Sequence, residues 1–270
     1  MRRLLIISAL IFAALLPGAA QVSSSSDGRL GEKLEGTLRE YLLAIDRLEI
    51  PEAMKETDFL IESVQDSVTR EAVAQRAYRH FRESPLMGAE GVAIHIFDRW
   101  FAEQNLLMED VDAFEEARFH AYVNRRSLIG CKAEDAQFLD MNGRVVTLPS
   151  RRRASIIYFY SADCPKCLKT SKELSALLEG LRPAPDVYFV YTGDDEAQWR
   201  RYVAANLSPK KFPKCRLHQL CAGSIDSQSK DYVLKYGVVQ APRLFMTDKH
   251  ALIIGRALDT PALRILLQQD

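Results

Sequence analysis

The chain opens on an apolar run from Leu4 to Leu16, interrupted only by Ser8, set behind Arg2 and Arg3 and followed by Gly18, Ala19 and Ala20. A basic start, an apolar middle and a small-residue end form the pattern of a secretory signal peptide. About 13 apolar residues fall short of the roughly 20 that a spanning helix requires. Residues 1–20 therefore read as a leader, and the Ser-rich stretch 21–27 as a flexible polar lead-in. Helical spacing follows: Leu30, Leu34, Leu38, Tyr41, Leu42, Ile45 and Leu48 fall on one face. Pro51 suits the first turn of a new helix near Glu52. Ala74, Ala77, Tyr78 and Phe81 form another stripe, ended by Ser84-Pro85. Val92, Ile96, Phe97, Trp100 and Phe101 form the strongest one, and a last helix is expected from about Asp110 to Asn124. Residues 28–128 thus predict an all-helical domain with no repeat of fixed period.

Near Ile129 the pattern changes. Ala136 to Leu139 and Val145 to Leu148 flank Asn142-Gly143, which predicts a hairpin with positive φ angles at the Asn-Gly turn. Ser155 to Tyr160 is a continuous apolar run rich in β-formers, as for a strand covered on both faces. A helix through Leu168, Leu174 and Leu178 follows, then a strand at Asp186–Tyr191 and a helix at Asp195–Asn206. Ser208 to Ser227 reads as irregular. A helix near Lys230–Lys235, strands at Arg243–Thr247 and Leu252–Gly255, and a helix from Thr260 complete an α/β domain with a central mixed sheet, residues 129–270.

With 47% apolar and 27% charged residues, the chain can bury two cores. Its 36 basic and 36 acidic side chains cancel, which argues against a nucleic-acid partner, since phosphate contacts need an excess of Lys and Arg. The balance hides an asymmetry. Residues 21–130 hold 13 Lys and Arg against 21 Asp and Glu, a net −8, and residues 131–270 hold 21 against 15, a net +6. Opposite signs are expected of a helical domain that docks on its neighbour in the same chain.

Only two of the five cysteines are closely spaced. Cys164-Pro165-Lys166-Cys167 lies where the apolar strand, a short turn and an amphipathic helix meet. Two cysteines three apart at a helix start can close a disulfide while the first sulfur stays at the exposed end. Unpaired backbone N–H groups and the helix dipole favour a thiolate there. Lys166 acts in the same direction, and Asp163 opposes it. A merely structural role is disfavoured, because so short a loop restrains little of the unfolded chain. A structural zinc site would need Cys215 and Cys221 as further ligands, and their spacing is wider than usual. No metal is expected. Cys215 and Cys221 can pair with each other or sit on separate elements, and Cys131 is left as a buried free thiol at the domain junction. The five histidines are scattered, and Arg151-Arg152-Arg153 reads as a solvated loop run.

These residues carry a resemblance. From about Ile129 onward the chain resembles the thioredoxin-like superfamily, and within it the exported TlpA/ResA-type thiol–disulfide oxidoreductases. The matching pieces are Gly130-Cys131-Lys132-Ala133 with Phe138 and Asn142-Gly143, the stretch Tyr158 to Cys167, and Tyr236-Gly237-Val238 through Ala241-Pro242-Arg243-Leu244-Phe245 with Asp248-Lys249. The helical half, including Thr57 to Glu62, resembles an uncharacterised domain fused to such modules in Bacteroidetes. The resemblance implies a thioredoxin-like α/β fold behind an all-α domain, and a periplasmic protein disulfide reductase with no bound cofactor. Its partners would be disulfide-bearing client proteins and a membrane electron donor. Cys164 would be the nucleophile and Cys167 the resolving thiol. Pro242 would be a cis-proline that leaves the Ala241 backbone free to pair with a client. Three departures stand out. Pro165 precedes Lys166, an order closer to disulfide-introducing relatives. Tyr158 replaces the buried acid six residues before the first cysteine, and Asp163 replaces the aromatic just ahead of it.

Overall fold

Pro51, Asp66 and the Ser84-Pro85 pair punctuate the first half of the chain. In the computed structural model, which describes residues 31–179, 185–212, 215–223 and 231–269, helix α1 spans Glu32–Ile45 and buries Leu38, Tyr41, Leu42 and Ile45. The predicted leader and lead-in lie outside the described residues. Helix α2 (Ile50–Glu62) carries Pro51 in its first turn, where the missing N–H costs nothing. Helix α3 (Ser67–Glu83) starts at Asp66, whose carboxylate accepts from the Thr69 N–H at 2.8 Å. Helix α4 (Ala89–Ile96) runs directly into a π-helical segment, Phe97–Glu103, and α5 spans Val111–Asn124.

The π-helical segment is not visible in the apolar spacing, and its surroundings supply a reason. Asp58 of α2 faces three side chains from this stretch. His95 Nε2 lies 3.0 Å from Asp58 Oδ2, Trp100 Nε1 donates to Oδ1 at 2.9 Å, and Arg99 Nε lies 3.3 Å from Oδ1. Donors at positions 95, 99 and 100 must all converge on one carboxylate while Phe97, Trp100 and Phe101 stay buried. The wider turn reconciles the two demands.

The chain divides into two compact units between Ala121 and Tyr122, ahead of the Leu128–Ile129 division expected from sequence. In the second unit, β1 (Ala136–Asp140) and β2 (Val145–Leu148) pair antiparallel. The turn between them differs from expectation. Only Gly143 has positive φ, at 76°, and the Gly143 N–H donates to the Asp140 carbonyl at 3.0 Å. Asp140 Oδ1 accepts from the N–H groups of Asn142 and Arg144, so a type I turn closed by one left-handed glycine replaces the two-residue turn. The remaining elements are β3 (Ser155–Tyr160), α6 (Pro165–Leu178), β4 (Asp186–Tyr191), α7 (Glu196–Asn206), β5 (Arg216–Cys221), α8 (Tyr232–Tyr236), β6 (Arg243–Thr247), β7 (Ile253–Gly255) and α9 (Thr260–Gln269).

The seven strands form one sheet in the order β2-β1-β5-β4-β3-β6-β7. Strands β3, β4 and β5 run parallel, while β6 and β1 pair antiparallel on either side of them. Alternation along β3 sends Tyr158 and Tyr160 to one face, against Leu174, Trp199, Tyr202 and Leu263, and Ile157 and Phe159 to the other, against Tyr232 and Tyr236. Every residue of β3 is buried, as a strand covered on both faces requires.

Strand β5 corrects the irregular reading of Ser208–Ser227. It also corrects the proposed second disulfide. Cys215 immediately precedes the strand and Cys221 ends it. Six extended steps separate their Cα atoms by roughly 20 Å, far beyond the ~7 Å limit of a disulfide. Cys215 Sγ instead lies 3.8 Å from the Leu178 carbonyl, and Cys221 Sγ 3.8 Å from that of Gly193. Cys131 is half-exposed, contrary to the expected buried thiol, with Sγ 3.8 Å from the Arg125 carbonyl.

Candidate active site

Strand β3 ends at Tyr160, and Cys164 follows as the N-cap of α6, with Pro165 in the first turn. Proline there needs no N–H partner and preorganises the helix start. The cap is the cysteine itself: the Cys167 N–H donates to Cys164 Sγ at 3.1 Å. That sulfur is half-exposed and within 3.8 Å of the Ala241 carbonyl. The Ala241–Pro242 bond is cis, and it leads into β6 beside β3. The sequence-picked residues Cys164, Cys167, Ala241 and Pro242 therefore meet at one end of the sheet. Leu168 and Val239, both exposed, add apolar surface on the first turn of α6 and ahead of the cis bond.

The two cysteines differ in environment. Cys167 is wholly buried, and burial pushes its thiol up to about 12; the neighbouring Cys164 sulfur adds to the rise, and the Ser161 N–H and the Tyr158 hydroxyl oppose it. A half-exposed sulfur with a helix N–H aimed at it, backed by a protonated thiol one turn away, is an asymmetric dithiol. The outer sulfur can be attacked or can attack, and the inner one is shielded.

Asp163 and Lys166 both point to solvent. Asp163 Oδ1 accepts from Gln198 Nε2 at 2.7 Å, and Gln198 Oε1 accepts from the Tyr191 hydroxyl at 2.6 Å. The sequence reading passed over Gln198 and Tyr191, since neither lies near the cysteines along the chain. Burial and the Tyr202 phenol also went unread: the Tyr158 hydroxyl donates to the Cys167 carbonyl at 2.9 Å, and Ser171 Oγ sits 3.0 Å from the Tyr202 hydroxyl. Only the replacement of an acid by Tyr158 signalled that this layer differs.

No protein-family model matches the chain, and no curated protein does either. Among solved structures, a thioredoxin-like protein of Bacteroides caccae is similar over 88% of this chain and 84% of its own, at 15% identity and a TM-score of 0.62. The fold is thioredoxin-like, with helices ahead of the sheet. Two further similar structures are the thioredoxin domain of a thiol-disulfide oxidoreductase of Bacteroides vulgatus and a thiol:disulfide interchange protein of a Bacteroides species. The first covers 52% of this chain and 96% of its own, at 20% identity and a TM-score of 0.45. The second covers 53% and 90%, at 19% identity and 0.45.

Proposed function

We propose that this protein is an exported thiol–disulfide oxidoreductase that reduces disulfides of client proteins through Cys164 and Cys167. The observation that carries the reading is the pairing of a half-exposed Cys164 sulfur, capping a helix beside the cis Pro242, with a wholly buried Cys167. Cys164 attacks a client disulfide, one client sulfur leaves as a thiolate, and a mixed disulfide forms. Cys167 then attacks Cys164 Sγ and releases the second client sulfur. The Ala241 backbone, beside the nucleophile, is the place for a client strand to pair. Export rests on the leader pattern of residues 1–20, and no helix of the described residues is long and apolar enough to cross a membrane. A donor in the membrane would restore the dithiol, and the acidic helical unit would govern which clients reach Cys164.

Insulin reduction by the protein lacking residues 1–20 tests the reading, and Cys164→Ser should abolish it. Activity that survives this substitution removes Cys164 from the mechanism, and an inactive parent protein leaves a binding scaffold instead. A redox titration against glutathione sets the direction. A potential near roughly −270 mV fits a reductase, and one near about −120 mV would make the protein an oxidant, as the Pro165-Lys166 order suggests.

A further inference from the structure

The resolving step poses a chemical problem at Cys167. This thiol must lose its proton to attack, yet it is wholly buried, and burial raises it while the Tyr158 hydroxyl opposes the rise. The Tyr158 hydroxyl is a donor already in place. It is fully buried, and it donates to the carbonyl of Cys167 itself at 2.9 Å. On the same face, Ser171 Oγ stands 3.0 Å from the Tyr202 hydroxyl. Ser171 is wholly buried, and Tyr202 is 8% exposed. The Tyr160 ring stacks between those of Tyr158 and Tyr202, at 5.6 and 5.0 Å, which holds the phenols in position.

We propose that Tyr158 is the positioning residue of the resolving step: its hydroxyl turns from the Cys167 carbonyl to the Cys167 sulfur as that sulfur becomes an anion. The Cys167 thiolate attacks Cys164 Sγ, a sulfur–sulfur bond forms between them, and the bond from Cys164 to the client sulfur breaks. The client sulfur leaves with the electron pair. The proton that Cys167 loses is matched by the one the departing sulfur gains. Across both steps the client disulfide is reduced by two electrons and the dithiol is oxidised. The phenol stabilises the anion without accepting its proton, because burial holds Tyr158 well above the ordinary tyrosine range.

This inference rests on the exchange reading above, and its test separates the two. The reduced protein is mixed with 5,5′-dithiobis(2-nitrobenzoate) in a stopped-flow instrument from about pH 6 to 10, a range below the Cys167 value. The first equivalent of coloured thiol reports attack by Cys164, and a second equivalent released at a rate independent of reagent concentration reports resolution by Cys167, which separates it from direct attack by the free thiols Cys131, Cys215 and Cys221. Tyr158→Phe should slow the second phase roughly tenfold and displace its pH profile upward by about one unit, the loss expected for one hydrogen bond to a charged group. A site-specific 3-fluorotyrosine at position 158, a stronger donor, should shift the profile to lower pH. A second phase with an unmoved profile in folded Tyr158→Phe, or an unmoved profile in the fluorotyrosine protein, overturns the proposal. A wild-type protein that releases no second equivalent overturns the exchange reading itself.

Discussion

Cys167 carries the pH dependence of the account. Its thiol is pushed up to about 12 from an ordinary 9.0, chiefly by burial. Below that value the thiolate fraction grows tenfold per pH unit, so the rate of mixed-disulfide resolution should climb about tenfold per unit from roughly pH 6 to 9. Rapid quench with acid at each pH gives the rate. The same shift has a stability sign. The folded, reduced protein keeps the proton that the unfolded chain releases, so the contribution is fully present below pH 9.0 and is lost as pH rises towards about 12. Arg256 is a second residue with a large effect. It is buried, and desolvation lowers it to about 10; its guanidinium donates to Asn124 Oδ1, and its Nε to Ser127 Oγ at 3.3 Å. Gly237 lies against the same group, with φ of 63° and its Cβ position 2.5 Å from Asn124 Oδ1. Asn124→Ala should destabilise the second unit by about 1.5–3 kcal/mol, read by urea unfolding, because it removes a side-chain acceptor of the buried guanidinium.

Among the elements, those with a continuous apolar run or a regular apolar stripe were legible in the sequence, and those whose pattern is broken or whose cause lies on another element were not. Strands β3, β4 and β6 stand at the positions their apolar runs predict, since each is buried along its length or nearly so. Strand β5 was missed because Arg216, His218 and Gln219 break the apolar pattern. Its first half is accessible, and His218 is accommodated by stacking on Tyr188 at 4.7 Å. The π-helical segment was missed for a different reason: its cause, Asp58, lies on another helix. The CxxC could be picked from local residue type and the cis-proline segment from the family resemblance, whereas Gln198, Tyr191, Ser171 and Tyr202 enter the site only through the fold. Two measurements probe these elements. Peptide mapping under non-reducing conditions should show no link between Cys215 and Cys221, and such a link would contradict a continuous β5. Asp58→Ala should lower the stability of the helical unit by roughly 2–3 kcal/mol, seen in its thermal unfolding, since it removes the shared acceptor of His95, Trp100 and Arg99.

For the molecule as a whole, the proposed role of the helical unit in client choice is the reading to test, with a net −8 over residues 21–130 against a net +6 over residues 131–270 in the charge count. Residues 122–270, which retain Asn124 and Ser127, should reduce a wider range of clients than the full protein. The difference should shrink as salt shortens the reach of charge to about 10 Å at 0.1 M; equal selectivity of the two proteins would make the helices a passenger. All of this depends on Cys164 being the sulfur that meets the client. The most direct measurement is to trap the intermediate: Cys167→Ser protein, in reduced form, is incubated with an oxidised client, and the linked species is mapped by mass spectrometry. A mixed disulfide through Cys164, absent in the Cys164→Ser protein, is the predicted result. A link through Cys131, Cys215 or Cys221, or no link at all, would contradict the account.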